Sequence, residues 1–148
     1  MAQTTITASP AAGVVGTFAN ATASPQNTRS AIAAETIPVG AFVVVTAGAE
    51  TCELPDAANE VNGGRGLGIA MRPASGATSY SSGEEVTIGH TGEIWVDPVT
   101  SVAAGAAVLV AITGTGALDD TTGEALPNAV FTSAGADLVK VWLSGPFV

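Results

Sequence analysis

His90 is the only histidine of this chain and Cys52 its only cysteine, so any nucleophilic, proton-shuttling or zinc-binding arrangement must pass through one of them. A serine or cysteine nucleophile needs a base within hydrogen-bond reach and a third group to orient that base. His90 lies in His90-Thr91-Gly92, read as a turn, where exposure to water is the ordinary outcome. Cys52 lies in Thr51-Cys52-Glu53-Leu54 with no basic neighbour to lower its pKa, and reads as a small half-buried strand residue. One histidine and one cysteine cannot assemble a zinc site of the usual kind, and a lone cysteine forms no internal disulfide.

The carboxylates offer no better constellation. Glu84 and Glu85 are adjacent in a strand and point to opposite faces, poor geometry for an acid and base acting on one substrate. Asp119-Asp120-Thr121-Thr122-Gly123-Glu124 has the oxygen ligands and the glycine of a calcium loop but lacks its alternating spacing, and reads as an acidic turn. Gly114-Thr115-Gly116 runs into Ala117-Leu118-Asp119-Asp120 and not into a helix start, so it makes no phosphate cradle. No catalytic, metal-binding or cofactor-binding residue is assigned.

Composition indicates what kind of scaffold carries these residues. The 148 residues are 47% hydrophobic and 11% charged, with 18 glycines and 8 prolines. That is enough chain for one domain with its own core, but too little charge to clothe the outer faces of long amphipathic helices. The expectation is an all-β compact barrel or sandwich of about eight short strands, with a two-sheet jelly roll as the alternative. Charge is unevenly placed: residues 1–34 hold Arg29 and no acid, while the remainder holds 13 acids and three bases, Arg65, Arg72 and Lys140. This suggests an extended arm over residues 1–34 and a body over 35–148. The acidic balance argues against nucleic acid, whose binding draws on phosphate neutralisation. The longest apolar run, Val102–Ile112, is too short to cross a bilayer. The start, Met1–Pro10, has no signal-peptide pattern, so retention inside a cell is expected and the sequon Asn20-Ala21-Thr22 reads as a chance match.

Periodicity gives the elements. Residues 1–26 show neither strand nor helix period, and Phe18 is their only aromatic residue. Asn27–Ala34 fits a short helix or a strand. Gly40–Val45 reads as a buried strand with Thr51–Leu54 as its return, and Asn62–Gly66 as a flexible turn. Leu67–Arg72 is a further strand in which Gly68 marks a bulge or close backbone approach. Tyr80–Val96 reads as one hairpin, with Glu85, Thr87 and Gly89 on one face, Val86 and Ile88 on the other, and Ile94 and Trp95 pointing oppositely. In Asp137–Leu143, Leu138, Lys140 and Trp142 share one face. Val102–Val110 repeats Ile37–Val45 at an offset of 65, an echo read as two similar entries from loop to strand within one β domain.

The order Ile37-Pro38-Val39-Gly40, Gly66-Leu67-Gly68-Ile69-Ala70, Tyr80-x-x-Gly83-Glu84-Glu85-Val86, Gly92-Glu93-Ile94-Trp95-Val96, Val102-x-x-Gly105-x-x-Val108-x-Val110, Gly116-Ala117-Leu118 and Val139-Lys140-Val141 resembles the capsid cement, or head decoration, proteins of tailed bacteriophages. The resemblance covers roughly residues 20–143 and departs in the alanine-rich first 18. It implies a β-rich structural protein without enzymatic activity or cofactor, made in the host cytoplasm and bound to the outer surface of the expanded head. There it would clamp neighbouring major capsid protein subunits, self-associating as a trimer or else a dimer. On that reading Phe18, Asn20, Gln26 and Arg29 are the arm's candidate capsid contacts. Phe42, Ile94, Trp95 and Trp142 are candidate core or intersubunit residues. The runner-up is a β-sandwich carbohydrate-binding or adhesion module with Trp95 or Trp142 as a sugar platform.

Overall fold

The computed structural model describes residues 13–19, 27–46 and 50–147. Twelve strands run through them: β1 (Thr28–Ala33), β2 (Ile37–Pro38), β3 (Phe42–Val45), β4 (Thr51–Glu53), β5 (Gly66–Ala70), β6 (Ser79–Tyr80), β7 (Glu85–Gly89), β8 (Thr91–Val96), β9 (Ala107–Val110), β10 (Leu118–Asp119), β11 (Glu124–Phe131) and β12 (Val139–Ser144). The fold is all-β, as composition requires. The strands outnumber the eight expected because two-residue pairings such as β2 with β6 leave no periodic trace.

The strands form a closed barrel in the order β1-β4-β3-β5-β7 and a five-stranded half-barrel sheet in the order β10-β9-β11-β12-β8. Begun at β4, the barrel reads β4-β3-β5-β7-β1, which is the order of the second sheet strand for strand. The echo between Ile37–Val45 and Val102–Val110 is the visible trace of this correspondence. Gly40 and Gly105 both take positive φ, 91° and 86°, and matching turn bonds run from Ala41 N to Pro38 O and from Ala106 N to Ala103 O. Even the β2–β6 pairing has a counterpart in the bridge between Val102 and Gly135. The halves differ in closure. β1 and β4 pair in parallel through Ile32–Thr51 and Ala33–Cys52, whereas β8 and β10 do not pair.

Two cores follow from this layout. Val43, Cys52, Leu67, Ala70, Val86 and Ile88 fill the barrel. Phe42, Val44, Ile69 and Met71 point out of the barrel wall and meet Ile94, Val108, Val110, Phe131, Val141 and Leu143 of the second sheet. This explains why Phe42-Val43-Val44-Val45 has no polar face: β3 is buried on both sides. Phe147 packs edge-on against Phe42 with ring centroids 5.4 Å apart.

Three expectations are corrected. Residues Tyr80–Val96 do not form a hairpin: β7 pairs with β1 and β5, and β8 pairs with β12. His90 is the corner at which the chain passes from barrel to second sheet, with its N–H donating to Asn27 O and its carbonyl accepting from Gly145 N. The alternation of Val86 and Ile88 against Glu85 and Thr87 is as expected, because period two reports the face of a strand and not its partner. Second, the arm does not extend to residue 34 as a separate segment, since Thr28–Ala33 pairs along β7 inside the barrel; its small residues Ala31 and Ala33 suit a crowded barrel wall. Third, the turn at Val61–Arg65, whose backbone leaves helical geometry at Gly63 and Gly64, is anchored, with Val61 buried. Arg65 holds that turn by donating to Val45 O and to the carboxylates of Glu60 (2.7 Å) and Glu53 (3.0 Å).

Candidate interaction surface

The residues with chemical potential are spent on structure. Cys52 is buried, and burial pushes its thiol up to about 11. Burial, followed by the nearby Arg29 guanidinium, lowers the pKa of His90, whose Nδ1 lies 2.9 Å from Thr91 Oγ1 in a hydrogen bond set by the ring tautomer. Glu84 caps the turn before β7 by accepting from Ser81 N at 2.8 Å. Asp119 accepts from Thr100 Oγ1 at 2.7 Å, Asp120 N and Thr121 Oγ1. The Thr100 hydroxyl is the foremost of the groups that lower its pKa. Asp120 accepts from Ala103 N, so the acidic stretch at the end of β10 ties down the loop between β8 and β9 as well as its own turn. Among the described residues no group of three or more His, Cys, Asp or Glu side chains could hold a metal ion.

Residues 13–19 run along the free edge of β8 as a strap. Gly16 N donates to Trp95 O, Trp95 N to Thr17 O, and Ala19 N to Glu93 O. Phe18 bridges to Ile94 and packs against the core between the sheets. The strap also reaches the barrel, where Arg72 N donates to Gly16 O and Arg72 Nε to Val15 O at 3.2 Å. A short extended segment without periodicity finds its order by adding to a sheet edge, and the edge it finds belongs to its own body.

Of the arm's other candidates, Asn20 and Gln26 lie outside the described residues. Arg29 is exposed on β1 and lies between two clefts of about 490 and 390 Å³, both also lined by Leu67. Arg65, Arg72 and Lys140 are all held by partners in the fold, and Arg29 is in no ion pair among the described residues.

The four core or intersubunit candidates divide cleanly. Phe42 and Ile94 are fully buried. Trp95 is half-buried on the outer side of β8, with Lys140 Nζ 5.6 Å from its ring centroid. Trp142 is 43% exposed on the same side of the sheet. Cross-strand register sets Trp142 between Val130 of β11 and Glu93 of β8, and Lys140 beside Trp95. The alternation of β12 already puts Lys140 and Trp142 on one face. Val130 and Glu93 were missed because only the register between strands brings them there.

The family described as structural cement protein (E217 gp24/Pam3 gp6) matches residues 2–144. No curated protein matches the chain. The crystal structure of the head fiber gp8.5 N base in bacteriophage phi29 superposes with a TM-score of 0.51 at 14% identity, covering 79% of this chain and 92% of that one, a likeness of fold.

Proposed function

The chain belongs to the phage structural cement protein family, and from that premise we propose that it binds the outer surface of an expanded phage head and clamps neighbouring major capsid protein subunits. The family match over nearly the whole chain carries this reading. It is made in the host cytoplasm and joins the head without catalysis, cofactor, nucleic acid or membrane. Binding that favours only the expanded shell stabilises that state by mass action, growing with free protein concentration relative to the dissociation constant. Many modest contacts per head then suffice.

Shell contact falls to Arg29 and the chain leading to it, because Phe18 is engaged with its own body. Of the two clefts beside Arg29, the smaller, lined also by Leu67, Pro146 and Phe147 and by no acid, suits a carboxylate side chain flanked by apolar groups; the larger carries Glu50 and Glu85. The protein self-associates at its site, with a trimer as the family-level expectation and a two-fold dimer as the alternative. The experiment is addition of purified protein to expanded heads lacking it. Saturable occupancy with a rise in the heads' thermal resistance is expected, and loss of both at Arg29→Glu. Heads that take up no protein would overturn the reading.

A further inference from the structure

We propose that Arg29 and His90 together grip one carboxylate of a shell subunit in the smaller cleft, and that closing this contact places a proton on His90. This rests on the shell-binding reading above and names the chemistry of its contact. The cleft, about 390 Å³, is walled by Thr28 and Arg29 of β1, by His90 at the corner, by Gly66 and Leu67 at the start of β5, and by Gly145, Pro146 and Phe147. Backbone bonds tie these segments together: His90 N donates to Asn27 O at 3.0 Å and Gly145 N to His90 O at 2.9 Å, while Gly66 bridges to Phe147. A site whose walls are already set loses little binding free energy to ordering itself.

The lining selects an anion. In a chain of net charge −9 it holds no acid, and Arg29 and His90 are its only members that carry a charge or acquire one near neutrality. The residues that strand pairing sets beside β1 and Thr91, namely Ile88, Gly89 and Ser144, do not titrate. Arg65, which precedes Gly66, is tied to Glu53 and Glu60. Leu67, Pro146 and Phe147 favour an anion on a short apolar stem, as in Asp or Glu, over a phosphate. In the free chain burial opposes the charged form of His90, and so, less strongly, does the Arg29 guanidinium. An incoming carboxylate offsets Arg29 and attracts the imidazolium directly. Both nitrogens of the charged ring donate. Nδ1 has Thr91 Oγ1 at 2.9 Å, which leaves the Nε2 proton for the carboxylate.

Binding coupled to proton uptake tightens as pH falls through the pKa of the bound ring and levels off below that of the free ring. The first test is occupancy of expanded heads lacking the protein, for wild type and His90→Gln, at about pH 7.5 and about pH 5.5, above the range in which carboxylates protonate. The wild-type dissociation constant should fall about tenfold over that span, and that of His90→Gln by less than about threefold. The second test uses the wild-type chain without heads, so it does not depend on how the variant folds. Because His90 is the only histidine, its ring gives an unambiguous proton NMR resonance. Excess isovalerate, a carboxylate on a branched apolar stem, should move the titration of that resonance upward relative to chloride at equal ionic strength, and should not do so in Arg29→Gln. Equal pH dependence of wild type and His90→Gln on heads overturns the grip and leaves shell binding standing. A His90 resonance that titrates alike in isovalerate and chloride also overturns it. Heads that take up neither protein at either pH remove the shell reading instead, and the isovalerate titration then decides the cleft alone.

Discussion

Phe18 lies opposite Ile94 in an antiparallel bridge, so the strap covers the β8 edge of the second sheet. Ile94 is fully buried beneath it, in the core that joins the two sheets. Replacing Phe18 by alanine removes a half-buried ring from that core and should cost about 2 kcal/mol, below the range for fully buried phenylalanines. In a chain of this size that is a melting point lower by roughly 4–8 °C. Truncation before Asn27 should lower it further, because the backbone bonds to Glu93, Trp95 and Arg72 go too. An unchanged melting curve for both would show that the strap contributes nothing to the body.

Gly68 and Gly105 both have positive φ, but only one is crowded. A Cβ on Gly68 would stand 2.2 Å from Gly89 O, whereas nothing lies within 4 Å of one on Gly105. Gly105→Ala should therefore cost only backbone strain, about 1 kcal/mol. Gly68→Ala must also part β5 from β7 and should cost at least about 3 kcal/mol or prevent folding. Equal losses in denaturant unfolding would refute the close approach.

Glu60 sets an acid limit. Burial alone would raise its pKa, but the N–H groups of Asp56 and Ala57 and the Arg65 guanidinium outweigh burial and hold it below the ordinary 4.5. A carboxyl with its folded pKa depressed contributes stability fully above its unfolded pKa, and that contribution is lost as pH falls through the folded value. Glu60→Gln should thus be less stable than wild type at neutral pH by about 1–3 kcal/mol, with the gap narrowing below about pH 4.5. A gap independent of pH would show that the charge of Glu60 is not what matters.

Cys52 should stay silent toward thiol reagents in the folded protein. Raising its pKa from 9.0 to about 11 lowers the thiolate fraction about 100-fold near neutrality, and burial blocks approach besides. Stoichiometric labelling is expected only in denaturant. Rapid labelling of the native protein would mean that β4 opens readily.

What the sequence disclosed was faces more than partners. The burial of Phe42–Val45, the close backbone approach at Gly68 and the shared face of Lys140 and Trp142 could all be read from period and residue type. That β7 and β8 belong to different sheets could not, since a corner at His90 and a hairpin turn there produce the same local pattern. Val130 and Glu93 escaped for a related reason: they become neighbours of Trp142 through pairing of segments distant in the chain. Asn20 and Gln26 are marked by the arm's composition alone, which carries no register.

The strap has a consequence for the order in which the protein is made. Gly16 leaves the ribosome early, yet the Trp95 carbonyl that receives its N–H is synthesised nearly eighty residues later. The barrel strands all lie before residue 90 and can close first; the second sheet then waits for β12, near the other end of the chain. Long-range closures of this kind are slow relative to local ones. The strap emerges before the barrel yet settles after it, and in pulse-labelled hydrogen exchange the amides of Gly16 and Ala19 should gain protection only after those of β1 and β7. A half-built chain would show β8's bare edge, and the latch that hides it fastens only when both halves are complete.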